Sequence, residues 1–217
     1  MKVLKNILYK VSIESVIGNT DLPVAALQYD SRNAGNDDVF IAIKGSAFDG
    51  HEFISKAISQ GVAVVVCQDL PVELVETVTY VVVLNSGKAL AIMASNYYEN
   101  PSENLKLIGI TGTNGKTTIA TLLYELFKNA GYKVGLISTV KIMVDSKEYP
   151  TTHTTPDSLV INAYLNQMSF EGVDFCFMEV SSHGIHQHRT KGLNFAYSSN
   201  CSKFLTNLSA SEFALVS

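Results

Sequence analysis

The residues best suited to carry out chemistry lie in stretch 105–118, which reads LKLIGITGTNGKTT. An apolar run ends in a glycine-rich turn, and Lys116, Thr117 and Thr118 follow it at the start of a helical pattern. Such a turn lets backbone N–H groups face phosphate oxygens, and the N-terminus of the next helix attracts the same anion. We expect Lys116 to reach the terminal phosphates of a nucleoside triphosphate and the Thr117 hydroxyl to bind Mg²⁺.

The glycine spacing departs from the general phosphate-loop pattern, which has a glycine five residues before Gly115, where this chain has Ile110. The alternative interpretation is an ordinary strand-to-helix turn with an incidental lysine. An apolar run before the Gly-Lys-Thr-Thr sequence and an amphipathic pattern after it favour the phosphate loop.

A second stretch, residues 175–189, reads FCFMEVSSHGIHQHR. Its apolar start predicts a buried strand that brings Glu179 to its carboxyl end, the edge at which open α/β sheets bind ligands. A carboxylate beside a phosphate loop can hold Mg²⁺ directly or through water. The alternative is a polar loop with incidental histidines, whose spacing fits no zinc pattern. Hydroxyl, amide and guanidinium groups that suit an anionic substrate follow in Ser181, Ser182, Gln187 and Arg189.

Two further regions are less specific. Residues 151–157, TTHTTPD, offer hydroxyls and a histidine before a predicted helix, which suits an anion and equally suits an ordinary helix cap. Segments 30–32 and 38–51 read as a polar turn, a strand and a glycine loop, and by themselves they indicate no ligand.

The elements that position these residues follow from hydrophobic periodicity. Short runs rich in Val and Ile predict strands buried on both faces over 39–43, 62–67, 80–84, 105–110, 134–137 and 175–180. Helices are predicted over 51–60, 88–98, 117–130 and 156–168, the third ending before Gly131 and the last following Thr155 with Pro156 at its first position. This alternation predicts an α/β fold with mostly parallel sheet. The breaker cluster at 100–102 predicts two domains, 1–100 and 101–217.

Composition excludes several classes of protein. The 217 residues are 47% hydrophobic and 17% charged, which supports a folded core and argues against disorder. A net charge of −4 without a basic block argues against a nucleic-acid partner. We predict a cytoplasmic protein without membrane insertion, since no signal peptide or bilayer-length apolar run is apparent. An odd set of widely spaced cysteines favours a reducing compartment: Cys67, Cys176 and Cys201.

Taken together, these stretches resemble the Mur ligase family from about Asp30 to Phe195, through DSR, VFIAIKG, FDGHEFI, ITGTNGKTT, THTTPD and MEVSSHGIHQHR. The glycine loop alone is also similar to that of other Mur ligases and of folylpolyglutamate synthetase. DSR with MEVSSHG and QHR resembles the members that add the third residue to the peptidoglycan stem peptide. The resemblance implies a UDP-sugar-binding α/β module, then an ATP-binding domain with a mostly parallel sheet, then a C-terminal ligase domain.

The resemblance also implies a reaction. ATP, with Mg²⁺, phosphorylates the terminal carboxylate of UDP-MurNAc-L-Ala-D-Glu, and the amino group of diaminopimelate or lysine then displaces phosphate to form an amide. The implied catalytic residues are Lys116 and Glu179, and the implied metal ligands are Thr117 and Glu179. The implied ATP loop is Gly112, Thr113, Asn114, Gly115, Lys116, Thr117 and Thr118. The implied UDP-substrate residues are Tyr29, Ser31, Ser46, Ala47, Phe48, His153, Thr154, Thr155, Ser181, Gln187 and Arg189.

The family pattern breaks near the end of the sequence. Residues 206–209, TNLS, match it, but 199–204 interrupt it and 210–213, ASEF, stand where the family has an Asp-His pair. A metal-binding histidine, a later carbamylated lysine and the third domain of the family have no counterpart in this sequence. We therefore expect an incomplete central domain that binds the UDP-substrate and, weakly, ATP, and that does not complete amide synthesis.

Other functions stay open at this stage. The chain is alternatively a non-catalytic UDP-sugar- or nucleotide-binding fragment, or another Mur-family or folylpolyglutamate-type ligase. An ordinary P-loop kinase or GTPase would turn over nucleotide without regard to UDP-sugars.

Overall fold

The computed structural model describes residues 1–45, 48–151 and 153–200, with the backbone alone for 199–200. The described residues fold as two compact units, one formed by Met1–Asn100 with Gln187–Gly192 and the other by Pro101–His186 with residues 193–200. Each unit is built on its own largely parallel sheet, which confirms the predicted α/β class.

The first unit contains a five-stranded sheet. Its central strands are parallel, and its first strand in the spatial order lies antiparallel at one edge. The order is β2 (Ile13–Ile17), β7 (Thr79–Val83), β6 (Val64–Cys67), β5 (Val39–Ile41) and β4 (Leu27–Gln28). A separate antiparallel pair is formed by β1 (Lys2–Val3) and β3 (Pro23–Val24).

Short helices cover this sheet. They are α1 (Leu4–Ile7), a 3₁₀ helix (Gly50–Phe53), α2 (Ile54–Ser59) and α3 (Ser86–Tyr97). Helix α2 buries Ile54 and Ala57 against Phe40 and Tyr80 of the strands. The predicted single helix over 51–60 is wrong in its first turn, which is a 3₁₀ helix because the Asp49 side chain accepts a hydrogen bond from the backbone N–H only two residues on.

The second unit contains a six-stranded sheet. A parallel core of four strands is extended by an antiparallel hairpin. The order is β11 (Lys147–Tyr149), β10 (Ile142–Val144), β9 (Val134–Ile137), β12 (Phe175–Glu179), β8 (Lys106–Thr111) and β13 (Tyr197–Asn200). The helices are a 3₁₀ helix (Pro101–Glu103), α4 (Lys116–Asn129), α5 (Ser158–Phe170) and α6 (Ser182–His186).

Alternation along β12 divides the core of this unit into two layers. Phe175 and Phe177 pack in the cluster that contains Ile119 and Leu123 of α4. Cys176 and Met178 pack in the cluster that contains Leu165 and other residues of α5. Because side chains of a strand alternate between faces, Glu179 lies on the same face as the two phenylalanines, toward α4.

Two helix ends test the capping predictions. Gly131 follows the C-terminus of α4 with a φ of 91°, as predicted for a glycine after the last helical turn. The predicted start of α5 at Pro156 is wrong, since the helix begins at Ser158. Its cap is Asp157, whose carboxylate accepts hydrogen bonds from the N–H groups of Leu159 and Val160.

None of the described helices has the length and apolar character needed to cross a bilayer.

Candidate active site

The glycine turn joins β8 to α4 as the sequence predicts. Gly112 has a φ of 140° and Gly115 a φ of 79°, conformations that side chains disfavour. Gly115 is the N-cap of α4 and has no side chain to accept from the first helical N–H groups, so these groups are suited to an anion. The Lys116 ammonium donates to the Gly112 carbonyl at 2.7 Å, which holds this cation against the turn.

Glu179 lies beside this turn because β12 and β8 are parallel neighbours, with Glu179 in register with Ile110. Its side chain is fully buried. The Thr117 hydroxyl donates to Glu179 Oε2 at 3.1 Å. The structure thus joins the two predicted metal ligands directly, although 62 residues separate them in sequence.

Thr139 also binds this carboxylate, and the sequence analysis missed it. Its backbone N–H donates to Glu179 Oε1 at 2.8 Å and its hydroxyl donates to Oε2 at 2.9 Å. Thr139 stands two residues after β9, the other parallel neighbour of β12. The signal was available, since the argument that placed Glu179 at the carboxyl edge also applies to the residue that follows β9.

The three groups that donate hydrogen bonds to Glu179 are all neutral, so none of them supplies a positive charge to balance this carboxylate. Burying a carboxylate is costly unless hydrogen bonds satisfy it, and three short bonds from neutral groups do so while leaving its negative charge. The carboxylate and the Thr117 hydroxyl are hard oxygen donors, as Mg²⁺ prefers. Within the described residues no group of three or more His, Cys, Asp or Glu side chains could hold a metal. Mg²⁺ fits better than zinc, because it commonly uses one or two protein oxygens with substrate phosphates.

Thr155 and Ser181 are brought together at the same edge of the sheet. Thr155 Oγ1 lies 3.1 Å from the Glu179 carbonyl and 3.2 Å from Ser181 Oγ, and it accepts from the Ser181 N–H at 3.0 Å. Ser181 Oγ in turn accepts from the Gly184 N–H at 3.0 Å. This network links the predicted substrate residues to the backbone of Glu179, the predicted metal ligand. His153 is exposed and Thr154 is partly buried in the turn that precedes them.

The remaining predicted substrate residues belong to the first unit. Tyr29 is exposed and Ser31 buried just after β4, and Phe48 is 73% exposed. Gln187 and Arg189 are in the segment that groups with this unit, and the Arg189 guanidinium donates to Gln187 Oε1 at 2.6 and 2.9 Å. Ser46 and Ala47 lie outside the described residues. Of the predicted break in the family pattern at 199–204 and 210–213, residues 199 and 200 belong to β13 and the others lie outside the described residues.

Acidic groups at the carboxyl edge of the first sheet have positive or imidazole partners. Hydrogen bonds from Arg32 lower the pKa of Asp30 to about 2. Hydrogen bonds from the His51 backbone and ring lower the pKa of Asp49, and the ring nitrogen lies 2.6 Å from its carboxylate. An ion pair with a lysine lowers the pKa of Asp69. Asp30 and Asp69 therefore have cationic partners, whereas Asp49 is held by hydrogen bonds from His51, whose Nε2 accepts from the Gln68 N–H.

Two family models match this chain: "Mur ligase family, catalytic domain" over residues 23–98 and "Mur ligase middle domain" over residues 110–210. A curated relative from Cytophaga hutchinsonii, named UDP-N-acetylmuramoyl-L-alanyl-D-glutamate--2,6-diaminopimelate ligase, is 48% identical over 194 residues, or 89% of this chain. The chain spans about 40% of the length of the curated relatives it matches.

Solved structures give the same architecture. A structure titled with the same ligase name has a TM-score of 0.71 at 22% identity, covering 92% of this chain and 40% of that one. The MurF ligase from Thermotoga maritima in complex with ADP has a TM-score of 0.53 at 24% identity, covering 82% and 38%. At these identities the similarity establishes the fold.

Proposed function

Because the chain belongs to the Mur ligase family, we propose that it forms the UDP-substrate-binding and ATP-binding parts of an ATP-dependent amide ligase. The proposed reaction adds the third residue to UDP-MurNAc-L-Ala-D-Glu in peptidoglycan precursor synthesis. The relatives' printed names favour diaminopimelate over lysine as that residue. We assign the first module to residues 1–100 and the second to 101–217, except that 187–192 group with the first unit, and we place the protein in the cytoplasm.

The contact between the Thr117 hydroxyl and Glu179 is the observation that carries the proposal. It sets a hydroxyl and a carboxylate beside a helix N-terminus, an arrangement that suits a magnesium-bound nucleotide. Gly112–Gly115 backbone N–H groups would bind the phosphates, and Lys116 would exchange the Gly112 carbonyl for a phosphate oxygen. Thr117 and Glu179 would hold Mg²⁺, which when bound neutralises charge on the phosphates.

The remaining residues would orient the UDP-substrate so that its D-Glu carboxylate attacks the γ-phosphorus of ATP and ADP leaves. The amino group of diaminopimelate would then attack the acyl carbon, the C–O bond to phosphate would break, and the amine would lose a proton. A carboxylate requires this activation because its oxygen is otherwise a poor leaving group. We propose that Thr155 and Ser181 are substrate-binding residues of the second unit, and that Tyr29 and Arg189 are substrate-binding residues of the first.

Calorimetric titration of the 217-residue chain with ADP, with and without Mg²⁺, tests the nucleotide site. We expect binding that Mg²⁺ strengthens and that weakens by about tenfold or more in Lys116→Ala, the loss of one bond to a charged group. The matched control is Lys128→Ala, which removes an ammonium from the last turn of the same helix and leaves the glycine turn intact. Equal affinities for the parent and Lys116→Ala would refute the site.

A phosphate-release assay tests the ligase reaction. It combines the chain with ATP, Mg²⁺, UDP-MurNAc-L-Ala-D-Glu and either diaminopimelate or lysine. The expectation that this chain alone does not complete the amide stays a prediction, and amino-acid-dependent phosphate release would contradict it. Calorimetric binding of the UDP-substrate, which an ordinary P-loop kinase or GTPase would lack, separates those alternatives.

A further inference from the structure

Thr139 contacts both oxygens of the Glu179 carboxylate. Its backbone N–H reaches Oε1 at 2.8 Å and its hydroxyl reaches Oε2 at 2.9 Å. Two bonds from one residue to the two oxygens of a carboxylate fix the plane of that group as well as its position. The third donor, the Thr117 hydroxyl, reaches only Oε2 and at a longer distance of 3.1 Å.

The turn that carries Thr139 is itself held in place. Strands β9 and β10 form an antiparallel hairpin closed by residues 138–141. The Ser138 N–H and hydroxyl both donate to the Lys141 carbonyl, at 3.1 and 2.8 Å, and Ser138 is fully buried. Thr139 therefore occupies a turn that the sheet fixes without help from the glycine loop.

Thr117 differs from Thr139 in its expected behaviour when nucleotide binds. Its hydroxyl lies at the start of α4 in the glycine loop, and in the proposed function it becomes a ligand of the metal. The hydrogen bond from the Thr117 hydroxyl to Glu179 would then be lost or rearranged. The two bonds from Thr139 do not involve the loop, so they persist in either state.

From this geometry we infer that Thr139 is a positioning residue, which holds the Glu179 carboxylate in the orientation that a magnesium–nucleotide complex requires. The inference rests on the proposed nucleotide site and adds a residue to it. Without the hydroxyl, the carboxylate keeps the bond to the Thr139 N–H and can rotate about it. Magnesium then meets a less ordered ligand, whereas the glycine turn and Lys116 keep their contacts with the phosphates.

The test is calorimetric titration with ADP over a series of Mg²⁺ concentrations, using Thr139→Val, which has nearly the same shape and keeps the backbone N–H. We expect the Mg²⁺ concentration at half-maximal binding to rise by about tenfold, the loss of one hydrogen bond to a charged group. ADP affinity without Mg²⁺ should be unchanged. Thr139→Ser, which restores the hydroxyl, should return the magnesium dependence toward that of the parent chain.

The matched control is Val140→Thr, a change of the same size at the neighbouring turn position, where the side chain is 64% exposed. It should leave the magnesium dependence unchanged. A Thr139→Val chain with the parent's magnesium dependence would overturn the inference, and so would equal weakening with and without Mg²⁺, which indicates general damage to the fold. If the parent chain itself shows no magnesium-dependent binding, the proposed function fails; if only the Thr139 comparison fails, the proposed function stands.

Discussion

The two parallel sheets of this chain present acidic groups at their carboxyl edges in opposite electrostatic settings. At the first sheet, Asp30, Asp49 and Asp69 are paired with Arg32, His51 and Lys44, and the pKa of each carboxyl is lowered by its partner. At the second sheet, Glu179 is fully buried and receives hydrogen bonds from neutral groups of two threonines.

The two edges differ in how much uncompensated negative charge they offer to a ligand. Asp30 and Asp69, each in an ion pair, are already balanced, and a cation would have to displace the arginine or lysine partner; Asp49 has only hydrogen bonds from His51. A buried carboxylate bound only by neutral donors is satisfied in hydrogen bonding and still attracts a cation strongly, because few water molecules screen it. The edges of the two sheets therefore suit different ligands. The first edge offers polar contacts through exposed side chains, and the second suits the proposed magnesium-bound nucleotide.

Replacing one carboxylate at each edge tests this comparison most severely. Glu179→Gln removes the charge while keeping the size of the side chain, and we expect magnesium-dependent ADP affinity to fall by more than about tenfold. Asp49→Asn removes a charge of the first unit and should leave ADP affinity unchanged. Calorimetry of both variants at saturating and at limiting Mg²⁺ measures the contrast.

Circular dichroism during urea unfolding provides the control for both variants. It establishes that each remains folded at the concentrations used for calorimetry. If Glu179→Gln binds magnesium–ADP as the parent chain does, the unbalanced carboxylate is not a metal ligand, and the contrast between the two edges has no functional meaning.

Substitution of one glycine at each edge distinguishes effects on stability from effects on ligand binding. A Cβ on Gly50 would lie 2.6 Å from the backbone nitrogen of Ile43, and one on Gly184 would lie 2.8 Å from the Thr155 side chain. Backbone cannot move aside easily, so Gly50→Ala should lower the free energy of unfolding by about 1–3 kcal/mol. It should leave magnesium–ADP binding intact in the folded chain.

Gly184→Ala is the matched variant in the second unit. It presses on Cγ2 and Cβ of Thr155, at 2.8 and 2.9 Å, and this side chain is buried and held by hydrogen bonds, so a comparable loss of stability is expected, with a displaced Thr155 and weaker binding of the UDP-substrate. Urea unfolding and calorimetry of both variants measure the pair. An unfolding free energy of Gly50→Ala equal to that of the parent would contradict the close approach of this loop to the backbone.

The parts of the fold that depend on short-range patterns were predictable. The continuous apolar runs at Val134–Ile137 and Phe175–Glu179 form the buried parallel strands that the sequence indicates. The sequence analysis missed several strands, among them the buried strand Ile142–Val144, whose three residues are too few to give a pattern. Two other missed strands lack the pattern for a different reason. Ile13–Ile17 is exposed along its whole length, and Lys147–Tyr149 is a short polar edge strand, so neither carries the continuous buried pattern.

The residues of the candidate site likewise divide into those that local sequence predicts and those that depend on the order of the strands. Gly115 and Thr117 are recognisable because glycine conformations and helix starts are local properties. The contact of Thr117 with Glu179 required only the general rule that parallel strands end at a common edge. The carboxyl-edge rule also applies to the residues after β9, but the contact of Thr139 with Glu179 depends on β9 being the second neighbour of β12, and sequence spacing does not determine that order. Asp157 capped α5 in place of Thr155 because two good capping residues compete within three positions.

The smallest expected effect concerns the ion pair at the first edge. Asp30 has its pKa lowered from 3.8 to about 2 by the hydrogen bonds from Arg32. A carboxyl with a lower pKa in the folded chain adds stability above its unfolded pKa, and this contribution is lost as the pH falls from about 4 toward 2. Since the Arg32 side chain is largely exposed, Asp30→Asn should cost at most about 1 kcal/mol at pH 7.

Urea unfolding of the parent chain and of Asp30→Asn between pH 7 and pH 3 measures this contribution. The gap in unfolding free energy should be constant at neutral pH and should narrow below about pH 4, where Asp30 takes up a proton in the unfolded chain while it stays ionised in the folded one. In an Arg32→Gln background the same substitution should produce a much smaller gap, because the partner that lowers the pKa is gone. A gap that does not depend on pH would mean that Asp30 acts through its local turn alone, and the first edge would then owe less to charge pairing than the contrast with Glu179 requires.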